Sequence, residues 1–188
     1  MKNILTILTL ILITSQTTAQ FVDQHSINAQ IGYGLSAPYE SVDDIADDGF
    51  FLQGEYVVQW ASWAKTIAYT GVVLTSSNGK DLNNNPTNEL AESKAFLLGT
   101  KARVRAPIPW VAPYVELGIG ASIGKFRTFT SFVDINKSGV IYHIPVSLGL
   151  ELGRNHGVDI GLAYYFQPTV EQFAGAATLG VSIPLKTK

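Results

Sequence analysis

Apolar and polar side chains alternate with a period of two in eight stretches of this 188-residue chain, and this pattern constrains the fold more than any motif does. Period two belongs to extended strands, whose successive side chains point to opposite faces. The stretches are Gln24–Tyr33, Gly49–Trp60, Trp63–Ser76, Ser93–Arg105, Trp110–Gly124, Gly139–Leu152, Gly157–Gln167 and Ala174–Lys186. In the sixth, Val140, Tyr142, Ile144, Val146, Leu148 and Leu150 share one face; His143, Pro145, Ser147, Gly149 and Glu151 share the other. The fifth sets Val115, Leu117, Ile119, Ala121 and Ile123 against Tyr114, Glu116, Gly118, Gly120 and Ser122. The fourth opposes Phe96, Leu98, Ala102 and Val104 to Gly99, Lys101, Arg103 and Arg105. The third has mixed faces and is the weakest of the set.

The connections alternate as well. Those after strands two, four and six are tight (Ala61–Ser62, Ala106–Pro109, Gly153–His156), whereas Gly34–Asp48, Ser77–Glu92 and Lys125–Ser138 read as long polar loops. Pro168–Phe173 is intermediate. An even number of strands with short turns at one end and long loops at the other is the arrangement of a transmembrane β-barrel. Strands of about 10 to 14 residues suit a tilted crossing of the hydrocarbon layer.

An eight-stranded up-and-down barrel can also be soluble, with its apolar face inside, so the orientation of the faces decides the class. Charged residues make up only 15% of the chain, against about one quarter in ordinary soluble domains. The polar face is small rather than charged (Gly118, Gly120, Gly149, Gly161, Ala163, Gly180), as a narrow lumen requires. The apolar face carries almost no charge over strands four to eight, as a lipid-facing surface must. Trp60, Trp63 and Trp110 flank the short turns, and Tyr142, Tyr164 and Phe166 lie towards the long loops, like girdles at two water–lipid interfaces. Lys65 is expected to point outward and to snorkel beside Trp63.

The N-terminus has a separate logic. Lys2, the apolar run Ile4–Ile13 and the small, polar Thr14–Ala19 have the layout of a secretory signal peptide cut between Ala19 and Gln20. Met1–Ala19 is thus expected to be a leader and Gln20–Lys188 a single barrel domain. The run is too short to span a membrane as a helix, which takes about 20 residues.

Together with the leader, Tyr114–Gly124 (YVELGIGASIG), Tyr142–Gly153 (YHIPVSLGLELG) and Ala177–Leu185 (ATLGVSIPL) resemble small eight-stranded outer-membrane barrels. That family includes the transmembrane domain of outer membrane protein A, the opacity proteins and the "porin family" barrels of Bacteroidetes-type bacteria. The resemblance covers the whole of the expected mature chain. It implies a Gram-negative outer membrane reached through the periplasm, periplasmic termini and external long loops. One departure is the ending Pro184-Leu185-Lys186-Thr187-Lys188, where many such barrels finish on an aromatic residue. Recognition by the assembly machinery would then rest on Val181, Ile183 and Leu185.

Alternation assigns Glu55, Lys101, Arg103, Arg105, Glu116, His143, Glu151 and Asp159 to the lumen. A turn at Ala106–Pro109 would pair Lys101 with Tyr114 and leave Glu116 diagonal to Lys101. Centring the next turn on Asn155 sets Glu151 opposite Asp159, two carboxylates that repel unless a cation crosses the lumen. Arg103 and Arg105 are the candidates. The bland reading is a structural ion network that fills the barrel; the sharper one is a gate or narrow ion path. Eight strands enclose an interior that side chains just fill, which excludes a wide pore.

Other chemistries have little support. Cysteine is absent, which removes disulfides, thiolate metal sites and thiol catalysis. The net charge of −2 is not that of a nucleic-acid binder. His143 and Ser147 share a face but stand about 13 Å apart along a strand, His25 and His156 have no evident partner, and no adjacent serine–histidine pair is legible, so no enzyme is expected. Asp81, Asn83, Asn85 and Glu92 have the spacing of a calcium loop, but Pro86 occupies the place of its turning glycine. Asp43, Asp44, Asp47 and Asp48 read as a solvated patch that divalent ions could bridge to lipopolysaccharide phosphates. No metal site and no cofactor are therefore expected. The glycine pairs such as Gly32-Tyr33-Gly34 precede no helix and bind no nucleotide.

The expected function is a structural or surface-interaction role, in envelope integrity, adhesion or recognition through the loops, in a monomer surrounded by outer-membrane lipid and lipopolysaccharide. The alternatives are a narrow porin-like channel and a soluble lipocalin-like ligand-binding barrel. Anchoring to peptidoglycan through a further domain is not expected.

Overall fold

The computed structural model describes residues 24–39, 49–80 and 86–185, with side chains for all of these except 77–80 and 86–89. The expected leader and the first-loop aspartates lie outside the described residues, as does 81–85, the start of the calcium-like spacing. Eight strands run β1 (Gln24–Pro38), β2 (Gly49–Ala61), β3 (Ala64–Lys80), β4 (Pro86–Arg105), β5 (Trp110–Phe129), β6 (Asp134–Gly153), β7 (Val158–Gln167) and β8 (Gln172–Leu185). Each pairs antiparallel with its chain neighbours, and β8 pairs back onto β1 from Pro38↔Gln172 to His25↔Leu185, closing an up-and-down barrel. Among the described residues no helix is long and apolar enough to cross a membrane.

Side-chain orientation follows the alternation. Leu117, Ile119, Val140, Tyr142, Leu148, Leu162, Leu179 and Ile183 face outward and are exposed, whereas Glu55, Lys101, Arg103, Glu116, Glu151 and Asp159 face inward and are buried. A surface of exposed aliphatic residues around a polar interior is the reverse of a soluble barrel, so the lipocalin-like alternative is set aside and the barrel is a transmembrane one. Trp60, Trp63 and Trp110 stand exposed at the short-turn end, at the height of an interfacial girdle.

The strands are longer than the alternation indicated. β1 runs to Pro38, β3 to Lys80, and β4 begins at Pro86, so the first five residues of Gly34–Asp48 and most of Ser77–Glu92 are strand. In place of a loop over Lys125–Ser138, β5 and β6 continue to Phe129 and Asp134 and are joined by a turn over 130–133, where Thr130 N–H donates to Val133 O at 2.8 Å. The β6–β7 ladder begins only at Ile144↔Phe166, so Asp134–His143 pairs with β5 alone and the β5–β6 hairpin rises above that side of the barrel. Above the lipid, strands need no apolar face, and Lys125, Arg127, Asn136, Lys137 and Ser138 erase the alternation there.

The β4–β5 register also differs from the expected one. Tyr114 pairs with Arg105, not Lys101, and Glu116 stands directly opposite Arg103. The turn is wider than four residues because Pro107, Pro109 and Pro113 have no N–H for a ladder. Instead Ala106 N–H donates to Pro113 O at 2.9 Å, and Trp110 takes a positive φ of 69°. Trp110–Pro113 therefore pairs with β6 only.

Candidate functional site in the barrel lumen

From the short-turn end upward, the lumen is filled in three layers. The lowest is a cluster of charges. Arg103, on β4, donates from Nε to Glu116 Oε1 at 2.6 Å and from Nη1 to both Glu151 Oε1 at 2.6 Å and Asp159 Oδ2 at 3.1 Å. Glu151 and Asp159 face each other across the β6–β7 pairing, and the guanidinium lies between them. Its flat face lies 3.9 Å from the ring centroid of Tyr114, whose hydroxyl donates to Asp159 Oδ1 at 2.8 Å. Lys101 joins Glu55 Oε1 and Glu116 Oε2, each at 2.7 Å. Arg105 binds the second oxygen of Glu151 and donates from Nε to Ser62 O at 2.7 Å.

Lys65 completes the cluster, contrary to the outward orientation expected of it. Its Nζ lies 2.5 Å from Glu151 Oε1, and its side chain is only 11% exposed. Gln59↔Lys65 gives way to Ala61↔Ala64 through an irregularity at Trp60, and Lys65 falls on the same face as Ile67, Tyr69 and Val73. β3 therefore buries aliphatic side chains inside and leaves Thr66, Ala68 and Thr70 outside, so neither face carried a clear sign. Four cations and four carboxylates thus meet in the lumen, with every described charge partnered. Removing one member of such a buried set leaves an uncompensated charge, at a cost of about 3–5 kcal/mol.

His143 sits in the second layer, outside the ion network. Its Nε2 pairs with the Tyr69 hydroxyl at 2.5 Å and its Nδ1 with Ser122 Oγ at 2.6 Å. Its ring meets Tyr165 edge-on at 5.1 Å between centroids. The Tyr165 hydroxyl donates to Gln53 Oε1, and Gln53 Nε2 donates to Glu55 Oε1 at 2.8 Å, tying this layer to the charges below. An adjacent serine–histidine pair therefore exists, which the sequence reading missed because it depends on the β5–β6 register. A catalytic pair needs a third group to orient the base and room for substrate. Here the third group is the Tyr69 phenol, and both Ser122 and His143 are wholly buried.

A third layer closes the long-loop end. The β7–β8 connection folds inward as a single 3-10 turn, Pro168–Val170, and Val170 is fully buried among Phe126, Ile141 and Ala174 of the core. Thr128 Oγ1 donates to Val170 O at 2.7 Å, Gln172 Nε2 donates to Gln167 Oε1 at 3.0 Å, and Tyr39 N–H donates to Glu171 O at 2.9 Å. Ser36 of β1 reaches across to Ala91 O of β4 at 2.9 Å. At the opposite end a vestibule of about 520 Å³, bordered by Gln24, Gln59 and His156, stops at Lys65 and Arg105. His25 and His156 are both partnered, by Tyr56 at 2.8 Å and by Ile108 O at 3.1 Å. Glu92 lies in β4 and pairs with Lys94. Among the described residues no group of three His, Asp or Glu could hold a metal ion.

No protein-family model matches the chain, and no curated protein matches it in sequence. Solved structures do match. Neisserial surface protein A superposes with a TM-score of 0.58 at 13% identity, covering 85% of this chain and 96% of that one. Ail, the attachment invasion locus protein of Yersinia pestis, solved in complex with the heparin analogue sucrose octasulfate, superposes at 0.51 and 15% identity, covering 87% and 100%. At these identities the likeness is one of fold: the chain has the fold of the small eight-stranded outer-membrane β-barrels.

Proposed function

We propose that this protein is an outer-membrane barrel of a Gram-negative bacterium, exported by a cleaved leader, whose role is structural or surface interaction rather than transport or catalysis. The observation that carries the reading is the double closure of the lumen. Arg103 and its four carboxylates block one level, and Val170 with the inturned 3-10 segment blocks the other. What remains for function is the outward surface, above all the β3–β4 and β5–β6 hairpins and the first loop. In this reading the short turns and both termini lie in the periplasm and the raised hairpins outside the cell. The channel alternative requires both closures to open together, which nothing in the packing favours.

The chain lacks cysteine, so single cysteines report orientation without background. Phe132→Cys, at the tip of the β5–β6 hairpin, should react with a membrane-impermeant maleimide on intact cells. Asn155→Cys, in the β6–β7 turn, should react only after the outer membrane is permeabilised. Labelling in the opposite order, or of neither site in the envelope fraction, would overturn the reading.

A further inference from the structure

On the outer face of the barrel, just where the apolar band ends, β4 and β5 set two lysines directly opposite each other: Lys94↔Lys125. The next outward pair along the same two strands is Glu92↔Arg127. These residues face solvent, not the lumen: Lys94, Lys125 and Arg127 are exposed and Glu92 is half-buried. Glu92 is already engaged by Lys94, so the four side chains carry one carboxylate and three cations. Like charges directly opposite on a sheet destabilise it, and among the described residues Glu92 is the one carboxylate in these two rows. The neighbours in the two rows are Leu74 and Ser138 beside the lysines, then Ser76 and Asn136. Among the described residues the nearest further carboxylate on this face is Asp134, one row higher beside Phe129.

The position of the cluster selects its ligand. One row lower on the same face stand Phe96, Ile123 and Val140, all exposed, and below them Leu98, Ala121 and Tyr142. Two residues of strand are about 6.6 Å, so the ammonium groups stand at headgroup height immediately above a wall suited to acyl chains. A soluble polyanion would gain nothing from that wall. A lipid with a phosphate on its headgroup satisfies both parts: its chains lie on Phe96, Ile123 and Val140 and its phosphate receives charge-assisted hydrogen bonds from Lys94, Lys125 and Arg127. In a chain whose net charge is −2, this concentration of cations is local and not a by-product of composition.

We propose that Lys94, Lys125 and Arg127 form a binding site for the phosphate of a phosphorylated lipid in the external leaflet. The proposal rests on the outer-membrane orientation proposed above and names a lipid partner for that outward surface.

The test uses the full barrel, folded in detergent, with diphosphorylated lipid A, the same lipid A dephosphorylated, and inorganic phosphate as probes, read by native mass spectrometry. The expected result is retention of one phosphorylated lipid by the wild type. Binding should be weaker on the order of tenfold or more for the dephosphorylated lipid and for a Lys94→Gln/Lys125→Gln/Arg127→Gln variant. Lys137→Gln, on the other face of β6, should bind as wild type does. Equal binding of the two lipids, or an unaffected triple variant, would overturn the proposal. Inorganic phosphate binding as tightly as the lipid would overturn its lipid part. A heat-modifiable gel shift confirms that each variant has folded. The cysteine labelling at Phe132 reports orientation separately, so a failure of the site and a failure of the membrane placement give different results.

Discussion

Arg103 stands directly opposite Glu116 across the β4–β5 pairing, and from that position one guanidinium also reaches Glu151 and Asp159 on β6 and β7. A single side chain thereby ties four consecutive strands together through the middle of the barrel. It also bridges the two facing carboxylates Glu151 and Asp159, with Lys65 and Arg105 adding positive charge on Glu151.

Arg103→Ala should therefore lower unfolding free energy by about 3–5 kcal/mol, measured by urea titration of the barrel in lipid vesicles. Arg103→Ala with Arg105→Ala should cost more than either alone, because both bind Glu151. A double variant as stable as wild type would show that the network contributes nothing to folding.

The glycines of the inner face are paired with particular aromatic rings. Tyr114 lies over Gly149, its cross-strand partner on β6, and over Gly161 beyond it on β7, where an added Cβ would meet the Tyr114 hydroxyl at 2.8 Å. Gly149→Val should displace the ring from Arg103 and Asp159 and destabilise the barrel by about 1–3 kcal/mol. Near-ultraviolet circular dichroism should register the loss of a fixed tyrosine environment.

On the outer face the expected cost of charge depends on height. Leu117→Arg, near the middle of the apolar band, should cost about 2–4 kcal/mol, and Val111→Arg, beside the short-turn girdle, about 0–1 kcal/mol. Equal costs at the two positions would contradict the lipid-facing assignment of β5.

Ser122→Ala leaves the Nδ1 of buried His143 without its partner and should cost about 1–3 kcal/mol of stability. With the pair enclosed, neither wild type nor the variant should hydrolyse a lipid ester or p-nitrophenyl ester. Activity in the wild type that Ser122→Ala abolishes would require reading the pair as a catalytic one.

Much of the fold was legible because the membrane imposes a strict contrast. From β4 to β8 every outward position between the girdles is apolar or small, and a two-residue period survives even where the sequence carries no motif. It failed where that contrast is absent. β3 has aliphatic residues on both faces, so Lys65 was placed outside although Glu151 holds it within. β5 beyond Gly124 and β6 before Gly139 stand clear of lipid and carry no such alternation. The candidate site was legible as a set of inward charges, but not as pairs. Pairing depends on register, and the proline-rich turn shifted Tyr114 from Lys101 to Arg105. The inward fold of Pro168–Val170 left no sequence signal beyond a proline at a strand end.

A lumen closed at two levels, by the Arg103 cluster and by Pro168–Val170, would leave function to the outer surface. Single-channel recording of the refolded, heat-modifiable barrel in a planar bilayer tests it most directly. Wild type should give a silent trace. Steady, reproducible openings, altered in size by Glu151→Gln, would contradict it and make this protein a small channel with a charged constriction.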